Sequence, residues 1–367
     1  MLSRVAESIF WMSRYIERAE NVARFIEVNW HLILDSAQGD SEEWQPLVDT
    51  TGDTDIFFER FGEATRENVI QFLTFDTKNT NSILSCVRAA RENARTVRDA
   101  ISSEMWEQIN LFYLMMNDEA SGNKALESPY DFFSQVKLAS HLFVGITDNT
   151  MAHNEGWHFC RMGSMLERAD KTSRIVDVKY FRLQEPGTND VNHDEVQWAA
   201  VLKSASAFEM YRKSYHRISP DRVVEFLLLD REFPRSILFC LMRAADSMHA
   251  ITQTPAGSFR NSAEQRLGQL VSELSYAEVH PILEGGLHEY LDGLQTKLNL
   301  IGDGIWQTFF SMKTMKSFGQ TQILNGPMRD RRPNQTQSQS QGKTEGQTQS
   351  QTQAPAGEAA ESKAETK

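Results

Sequence analysis

The stretch VAESIFWMSRYIERAENVARFIEVNWHLI, at residues 5–33, predicts one long amphipathic helix. Apolar or small residues recur at positions 5, 9, 12, 16, 19, 23, 26, 30 and 33. Steps of 4 and 3 place them all on a single face of an α-helix. Glu17, Glu20 and Arg24 follow this stripe by one position, so they should lie beside the buried face.

Part of this stretch returns later in the chain. The run Glu-Arg-Ala-Glu at residues 17–20 reappears as Glu-Arg-Ala-Asp at residues 167–170. Further matches follow at a spacing of 154, among them Trp44 with Trp198 and Cys86 with Cys240. So long a period indicates a duplicated domain rather than short repeats. We predict two pseudo-repeats, at residues 1–150 and 151–325, and expect the matching residues to serve the shared fold.

Composition favours helix throughout. The chain has 367 residues, of which 40% are hydrophobic and only 10 are proline. Long stretches without Pro or Gly favour helix over sheet, and no convincing alternating strand pattern occurs. The predicted fold is therefore an all-α helical bundle of two tandem halves. From about Gly326 the sequence is rich in Gln, Thr and Ser, and residues 326–367 are predicted to be a disordered tail.

Charge and cysteine usage narrow the class of protein. The formal net charge of −12 argues against unspecific nucleic-acid binding. The three cysteines are too widely spaced for a zinc module or a disulfide framework. No apolar run has the character of a signal peptide or a membrane span, so a cytoplasmic protein is expected. An oligomer remains compatible with the sequence.

The first candidate constellation is the charged stripe beside the apolar one. Glutamate and arginine at i and i+4 can form an ion pair on one helix. We interpret the set as an ion-pair network between the two halves, with two anion or cation sites facing a cleft as the alternative. Its members are Glu17, Arg18, Glu20 and Arg24 in the first half, and Glu167, Arg168, Asp170 and Arg174 in the second.

The second constellation occurs in the first half only. An apolar stripe from Ile83 to Met105 predicts one long helix, and four arginines line one of its faces. Arginine suits carboxylate or phosphate ligands, so this face is a candidate site for an anion or an acidic partner. The alternative is that it pairs with the acidic stripe of Glu17, Glu20 and Glu27. The candidate residues are Arg88, Arg91, Glu92, Asn93, Arg95, Arg98 and Trp106.

Motifs for catalysis and cofactors are weak or missing. Glu155 and His158 have the Glu-x-x-His spacing of di-iron bundles, with His153 nearby, but the matching pair is lacking. No metal is therefore predicted. No nucleophile elbow, P-loop or dinucleotide turn is present, so no cofactor is predicted either. The weak candidates for a general base are Glu20, Glu104 and Asp170.

At several points the chain resembles the bacterial alpha-E domain family. The resemblance covers about residues 1–320. It rests on residues 2–8 and 11–20, on the runs Arg91-Glu92-Asn93-Ala94-Arg95 and Ser103-Glu104-Met105-Trp106, on residues 167–174 and on Pro234-Arg235-Ser236.

The resemblance implies which genes lie beside that of this chain, and it does not imply an activity. Genes of the family typically sit beside those for a circularly permuted ATP-grasp protein and a transglutaminase-like protease, and some members are fused to an ATP-grasp region. The implied role is that of a helical accessory protein in a peptide-ligase (amidoligase) system. It would bind the ligase or an acidic peptide substrate. The alternative is an enzyme of peptide modification, with a carboxylate and arginine site in a cleft between the halves and a raised carboxylate pKa.

Overall fold

Two long helices, α1 (Ser3–Asp35) and α9 (Glu155–Leu183), cross at the centre of the molecule. The computed structural model describes residues 1–35, 44–120, 122, 124–183 and 191–311. The predicted tail, residues 326–367, lies outside this part. The buried positions of α1 include Ile9, Met12 and Ile16, as the apolar stripe predicts.

The described residues form α-helices and contain no strand, which confirms the all-α prediction. Helix α16 (Leu287–Ile305) continues into a π-helical turn, Trp306–Phe310. The remaining helices are α2 (Gln45–Thr51), α3 (Thr54–Phe61), α4 (Arg66–Thr74), α5 (Ile83–Thr96), α6 (Ser103–Glu119), α7 (Lys124–Glu127), α8 (Pro129–Thr150), α10 (Val191–Ser204), α11 (Phe208–Ser214), α12 (Pro220–Leu229), α13 (Ile237–Thr252), α14 (Ser262–Ser275) and α15 (Val279–Glu284).

The other helices pack in a similar way on each central helix. Helices α5 and α8 pack on α1, while α13 and α16 pack on α9. Ser82 caps α5 by accepting a hydrogen bond from the Ser85 amide, and Ser236 caps α13 from the Phe239 amide. These caps are 154 residues apart. The tandem duplication itself stays a prediction.

One predicted helix is two helices. The stripe from Ile83 to Met105 indicated a continuous helix, but α5 ends at Thr96 and α6 begins at Ser103. Ser102 caps α6 by accepting a hydrogen bond from the Met105 amide at 3.1 Å. The apolar spacing in the sequence continues across this break, and the structure buries both Val97 and Met105. Arg98 therefore lies in the turn after α5 rather than on that helix.

None of the described helices has both the length and the apolar character needed to cross a membrane.

At the crossing of α1 and α9, Gly163 allows a close approach of the two helices, since a Cβ atom there would lie 2.5 Å from the Phe10 carbonyl oxygen. The two central helices thus meet almost backbone to backbone, and this brings their charged residues within reach of one another.

Candidate functional site

Two Glu-Arg dipeptides exchange side chains where α1 crosses α9. The Arg168 guanidinium donates to both Glu17 carboxylate oxygens, at 2.9 and 2.7 Å. In return, Arg18 donates to both oxygens of Glu167, at 2.6 and 3.1 Å. Both carboxylates are almost completely buried. Each fork is a bidentate pair, the strongest geometry available to arginine and carboxylate.

A second layer of donors surrounds each fork. Glu17 also accepts from the Ser164 hydroxyl at 3.0 Å and from Arg235 at 3.3 Å. Glu167 accepts instead from Arg14 at 2.8 Å. Ser164 and Arg14 occupy matching positions, 150 residues apart, so the two environments differ at this point.

Glu20 is surrounded by side chains from three parts of the chain. It accepts from Arg24 at 2.7 Å, from the Ser140 hydroxyl at 2.6 Å, and from Arg235. His141 lies 3.2 Å from the same carboxylate and 2.9 Å from Arg24. The cluster links α1 to α8 and to Arg235, the residue before the Ser236 cap of α13. It therefore connects helices from the first half of the sequence with a residue from the second half.

The corresponding acid on α9 has a simpler environment. Asp170 pairs with Arg174 at 3.1 Å and with Lys171 at 3.2 Å. The structure therefore contains both predicted i,i+4 pairs, Glu20 with Arg24 and Asp170 with Arg174. Glu27, by contrast, pairs with Lys137 of α8. The acidic stripe is thus neutralised by Arg24 of α1 itself, by cations of α8 and α9 and by Arg235, and not by the arginines of α5.

The pKa shifts of these acids oppose a role in proton transfer. Burial alone raises the pKa of Glu20, but Arg235, His141 and Arg24 lower it well below its ordinary value. The pKa of Asp170 is also lowered, since Lys171 and Arg174 outweigh the effect of burial. A general base that works near neutral pH needs a raised carboxylate pKa. The raised pKa expected of the enzyme alternative is absent at both residues.

The third weak candidate lies elsewhere. Glu104 is exposed in the first turn of α6 and belongs to none of these clusters. The structure therefore does not bring Glu20, Asp170 and Glu104 into one site.

The arginine face, defined as Arg88, Arg91, Arg95 and Arg98, lies on the surface. Arg91 donates to Asn110 at 2.6 Å and to Glu92 at 3.2 Å, while Arg95 donates to Glu92 at 2.9 Å. Arg88, Arg95 and Arg98 are exposed. Glu92 pairs with Arg91 and Arg95, and it is the one carboxylate paired with any of the four arginines among the described contacts. The alternative, a pairing of this face with Glu17, Glu20 and Glu27, does not occur, because those acids lie inside the bundle and pair with other groups.

Aromatic rings support this face. Arg98 lies over Trp106 of α6 with its guanidinium carbon 4.9 Å from the ring centroid, and Arg91 lies over Tyr113 at the same separation. Asn93 bonds to its own helix through the Ala89 carbonyl and lines a groove between α1 and α5. The α6 rings therefore limit the freedom of two of the arginines, while the face stays open to solvent.

The weaker sequence signals do not gather into sites. Within the described ranges, no three His, Cys, Asp or Glu residues are grouped so as to hold a metal ion. His153 stacks on Trp157, and burial lowers the pKa of His158. All three cysteines are buried free thiols, and burial raises the pKa of each to about 12.

Sequence reasoning missed several partners in the network. Arg235, Ser140 and His141 reach Glu20 from positions more than 100 residues away. No spacing rule connects residues so far apart in the chain. The sequence drew attention to Arg235 in one way only, as part of Pro234-Arg235-Ser236, one of the stretches on which the family resemblance rests.

The reciprocal Glu-Arg forks are the observation that agrees with the family comparison. The family model that matches residues 1–310 describes a predicted alpha-helical domain with a conserved ER motif, and is called Alpha-E. This chain belongs to the Alpha-E family. Of its three Glu-Arg dipeptides, 17–18 and 167–168 form the buried forks, while Glu59-Arg60 lies on the surface.

The curated proteins that the chain resembles come from mycobacteria. An uncharacterised protein of Mycobacterium bovis is 23% identical over 349 residues, and two of Mycobacterium tuberculosis, from strains CDC 1551 and H37Rv, are 23% and 22% identical. Each match covers 88% of this chain but 38% of the relative, so the chain spans well under half the length of these proteins. No solved structure matches the chain.

Proposed function

We propose that this Alpha-E chain is a helical binding protein, accessory to an ATP-grasp peptide-ligase system. It engages the ligase or an acidic peptide substrate through the arginine face. One observation carries the proposal: in the described part of the chain, Glu92 pairs with Arg91 and Arg95, and no ion pair is formed by Arg88 or Arg98. The buried carboxylates of Glu17, Glu20 and Glu27 pair with other groups, so the arginine face keeps positive charge that a partner can neutralise.

The chemistry of the face suits carboxylates. Guanidinium groups bind carboxylates in a planar two-bond geometry, and they lose little freedom when an aromatic ring already supports them. Trp106 supports Arg98 in this way. The chain as a whole carries a net charge of −12, so a local basic face gives an acidic segment one favoured place to dock.

The choice of partner in this proposal rests on the family resemblance. It implies neighbouring genes for a circularly permuted ATP-grasp protein and a transglutaminase-like protease. The mycobacterial relatives are long enough to hold a further region larger than the matched one. A partner that is fused in some members and separate in others is consistent with a binding role for the helical domain.

The test is co-purification with the ATP-grasp protein encoded beside this chain. Arg91→Ala/Arg95→Ala should lose most of the association at low salt, because two guanidiniums leave the face. A matched control is Arg222→Ala/Arg243→Ala, which removes two surface arginines that pair with Glu225 and Asp246 outside this face. The control should associate like the wild type. Equal association of all three proteins would exclude the arginine face as the docking surface.

A further inference from the structure

A cavity of about 320 Å³ lies between α8 and α9 over the middle of α1. It exists because α8 and α9 both pack on α1 and make few contacts with each other. Its volume falls at the lower end of the range typical of small-molecule sites. It is separate from the arginine face, so it can be tested independently of the proposed function.

The interior of the cavity is mainly apolar. Ile16, Phe143 and Met165 contribute to its walls, and the Glu17–Arg168 fork lies at its polar side. Glu17 is already saturated by Arg168, Ser164, Asn21 and Arg235. The fork therefore offers no free charge to a ligand, and the interior favours an apolar group.

One cation that lines the cavity lacks a carboxylate partner. Arg161 lies over the Trp157 ring, with its guanidinium carbon 5.2 Å from the centroid, and the described contacts give it no ion pair. Burial lowers the pKa of Arg161, and the neighbouring Arg243 lowers it further, against Asp246 and Asp148. A half-buried guanidinium in this state gains from any carboxylate that enters beside it.

An anion faces it from the other helix. Asp148 lines the same cavity in the last turn of α8, and its side chain is 62% exposed. His153 approaches this carboxylate at 3.7 Å, but no Arg or Lys pairs with it among the described residues. The C-terminal end of a helix also favours positive charge, because its last carbonyl groups have no partners within the helix. This side of the cavity therefore suits a cation.

We propose that this cavity binds a free α-amino acid with a large apolar side chain. Arg161 takes the carboxylate, while Asp148 and the end of α8 take the ammonium group. The side chain enters between Ile16, Phe143 and Met165. A zwitterion satisfies both charged groups at once, which an anion or a cation alone cannot do.

A second cavity, lined by residues of α1, α9 and α16, has charged groups that are largely paired within the protein. It has a volume of about 420 Å³ and is lined by Arg14, Asp170 and Asp303. Arg14 is already bound to Glu167, and Asp170 to Lys171 and Arg174. The charged groups of that cavity are therefore largely paired within the protein, and we assign the amino-acid site to the Arg161 cavity alone.

The experiment is calorimetric titration of the full chain with L-phenylalanine and L-leucine, and with their amides and N-acetyl derivatives. The free amino acids should bind. Loss of either charged end should weaken binding by about tenfold or more, the usual effect of removing a charge-assisted hydrogen bond. Absence of binding by both amino acids at about 10 mM, or equal binding of the amides, would overturn the proposal.

Variants locate the site. Arg161→Met and Asp148→Asn should each weaken binding of L-phenylalanine about tenfold, and an unchanged melting temperature would show that each variant folds. The matched control is Arg222→Met, which removes a surface arginine that pairs with Glu225 and does not line the cavity. The control should bind like the wild type. Binding that survives both Arg161→Met and Asp148→Asn would place the amino acid elsewhere and contradict the assignment.

Discussion

The Arg168 guanidinium donates hydrogen bonds to both carboxylate oxygens of Glu17 across the α1–α9 crossing, and Arg18 donates to both oxygens of Glu167 in the reverse direction. Two such forks hold the central helices at a fixed register. Burial makes each fork costly to break from one side, because the remaining carboxylate stays inside without its main partner.

Loss of one arginine from a fork should therefore destabilise the protein strongly. Arg168→Met should lower the free energy of unfolding by about 3 kcal/mol, near the lower end for a broken buried pair because Arg235 still contacts Glu17. Urea unfolding would measure it. The control Arg98→Met removes an exposed arginine and should stay within roughly 0.5 kcal/mol of the wild type. Similar losses for the two variants would mean that the fork contributes little.

Stability should fall at acidic pH. Burial raises the pKa of Glu17 and of Glu167, but their arginine partners lower both by more, so each folded pKa lies below the ordinary value of a glutamate. A group with a depressed folded pKa stabilises the protein above its unfolded pKa and loses that effect as pH falls toward the folded pKa. The free energy of unfolding should stay level from pH 7 to about 5 and decline below about 4.5.

Urea unfolding over a pH series checks this expectation. The variant Glu17→Gln should be less stable than the wild type at pH 7 and should decline less steeply below about pH 4.5. Stability of the wild type that rises between about pH 5 and 3 would contradict the assigned charges.

Two of the helical glycines, Gly163 and Gly145, give opposite predictions for the same change. A Cβ at Gly163 would lie 2.5 Å from the Phe10 carbonyl oxygen and 2.6 Å from Ser13 Oγ. Gly163→Ala should therefore destabilise the protein by about 1–3 kcal/mol, because backbone atoms must move apart. At Gly145 a Cβ would meet nothing within 4 Å. Gly145→Ala should stabilise α8 by roughly 0.5–1 kcal/mol, and thermal unfolding of both variants would show the sign of each change.

The three thiols should be inert in the folded protein. Cys86, Cys160 and Cys240 are buried, and burial raises each thiol pKa to about 12, so almost no thiolate exists at neutral pH. A thiol reagent should label none of them until urea unfolds the chain. Rapid labelling of any one in the native protein would contradict its buried position.

Local patterns predicted much of this structure. The stripe of Ile9, Met12 and Ile16 predicted α1 and its buried face, since helical spacing depends only on neighbouring residues. The same rule failed at residues 97–102, where the spacing continued but the chain turned. Ser102 caps a new helix there, and its apolar residues happen to keep the phase of the previous one.

The candidate site was predictable only in part. The i,i+4 pair of Glu20 with Arg24 follows from one helix. Its other partners, Ser140 and Arg235, come from distant elements, and their approach depends on how α8 and α13 pack. The arginine face was visible because its members share one short segment. The exposure of the arginine face could not be predicted from the sequence. It depends on whether acids such as Glu17 and Glu20 pair with the arginines or lie inside the bundle, and only the packing of the helices decides this.

The affinity of this chain for the proposed ATP-grasp partner tests the central claim most directly. The variant Arg88→Ala/Arg95→Ala/Arg98→Ala removes the three exposed arginines of the face and leaves the buried forks intact. At an unchanged melting temperature, we predict at least about tenfold weaker binding and a smaller dependence on salt. Wild-type affinity with an unchanged salt dependence would contradict the claim that the arginine face binds the partner.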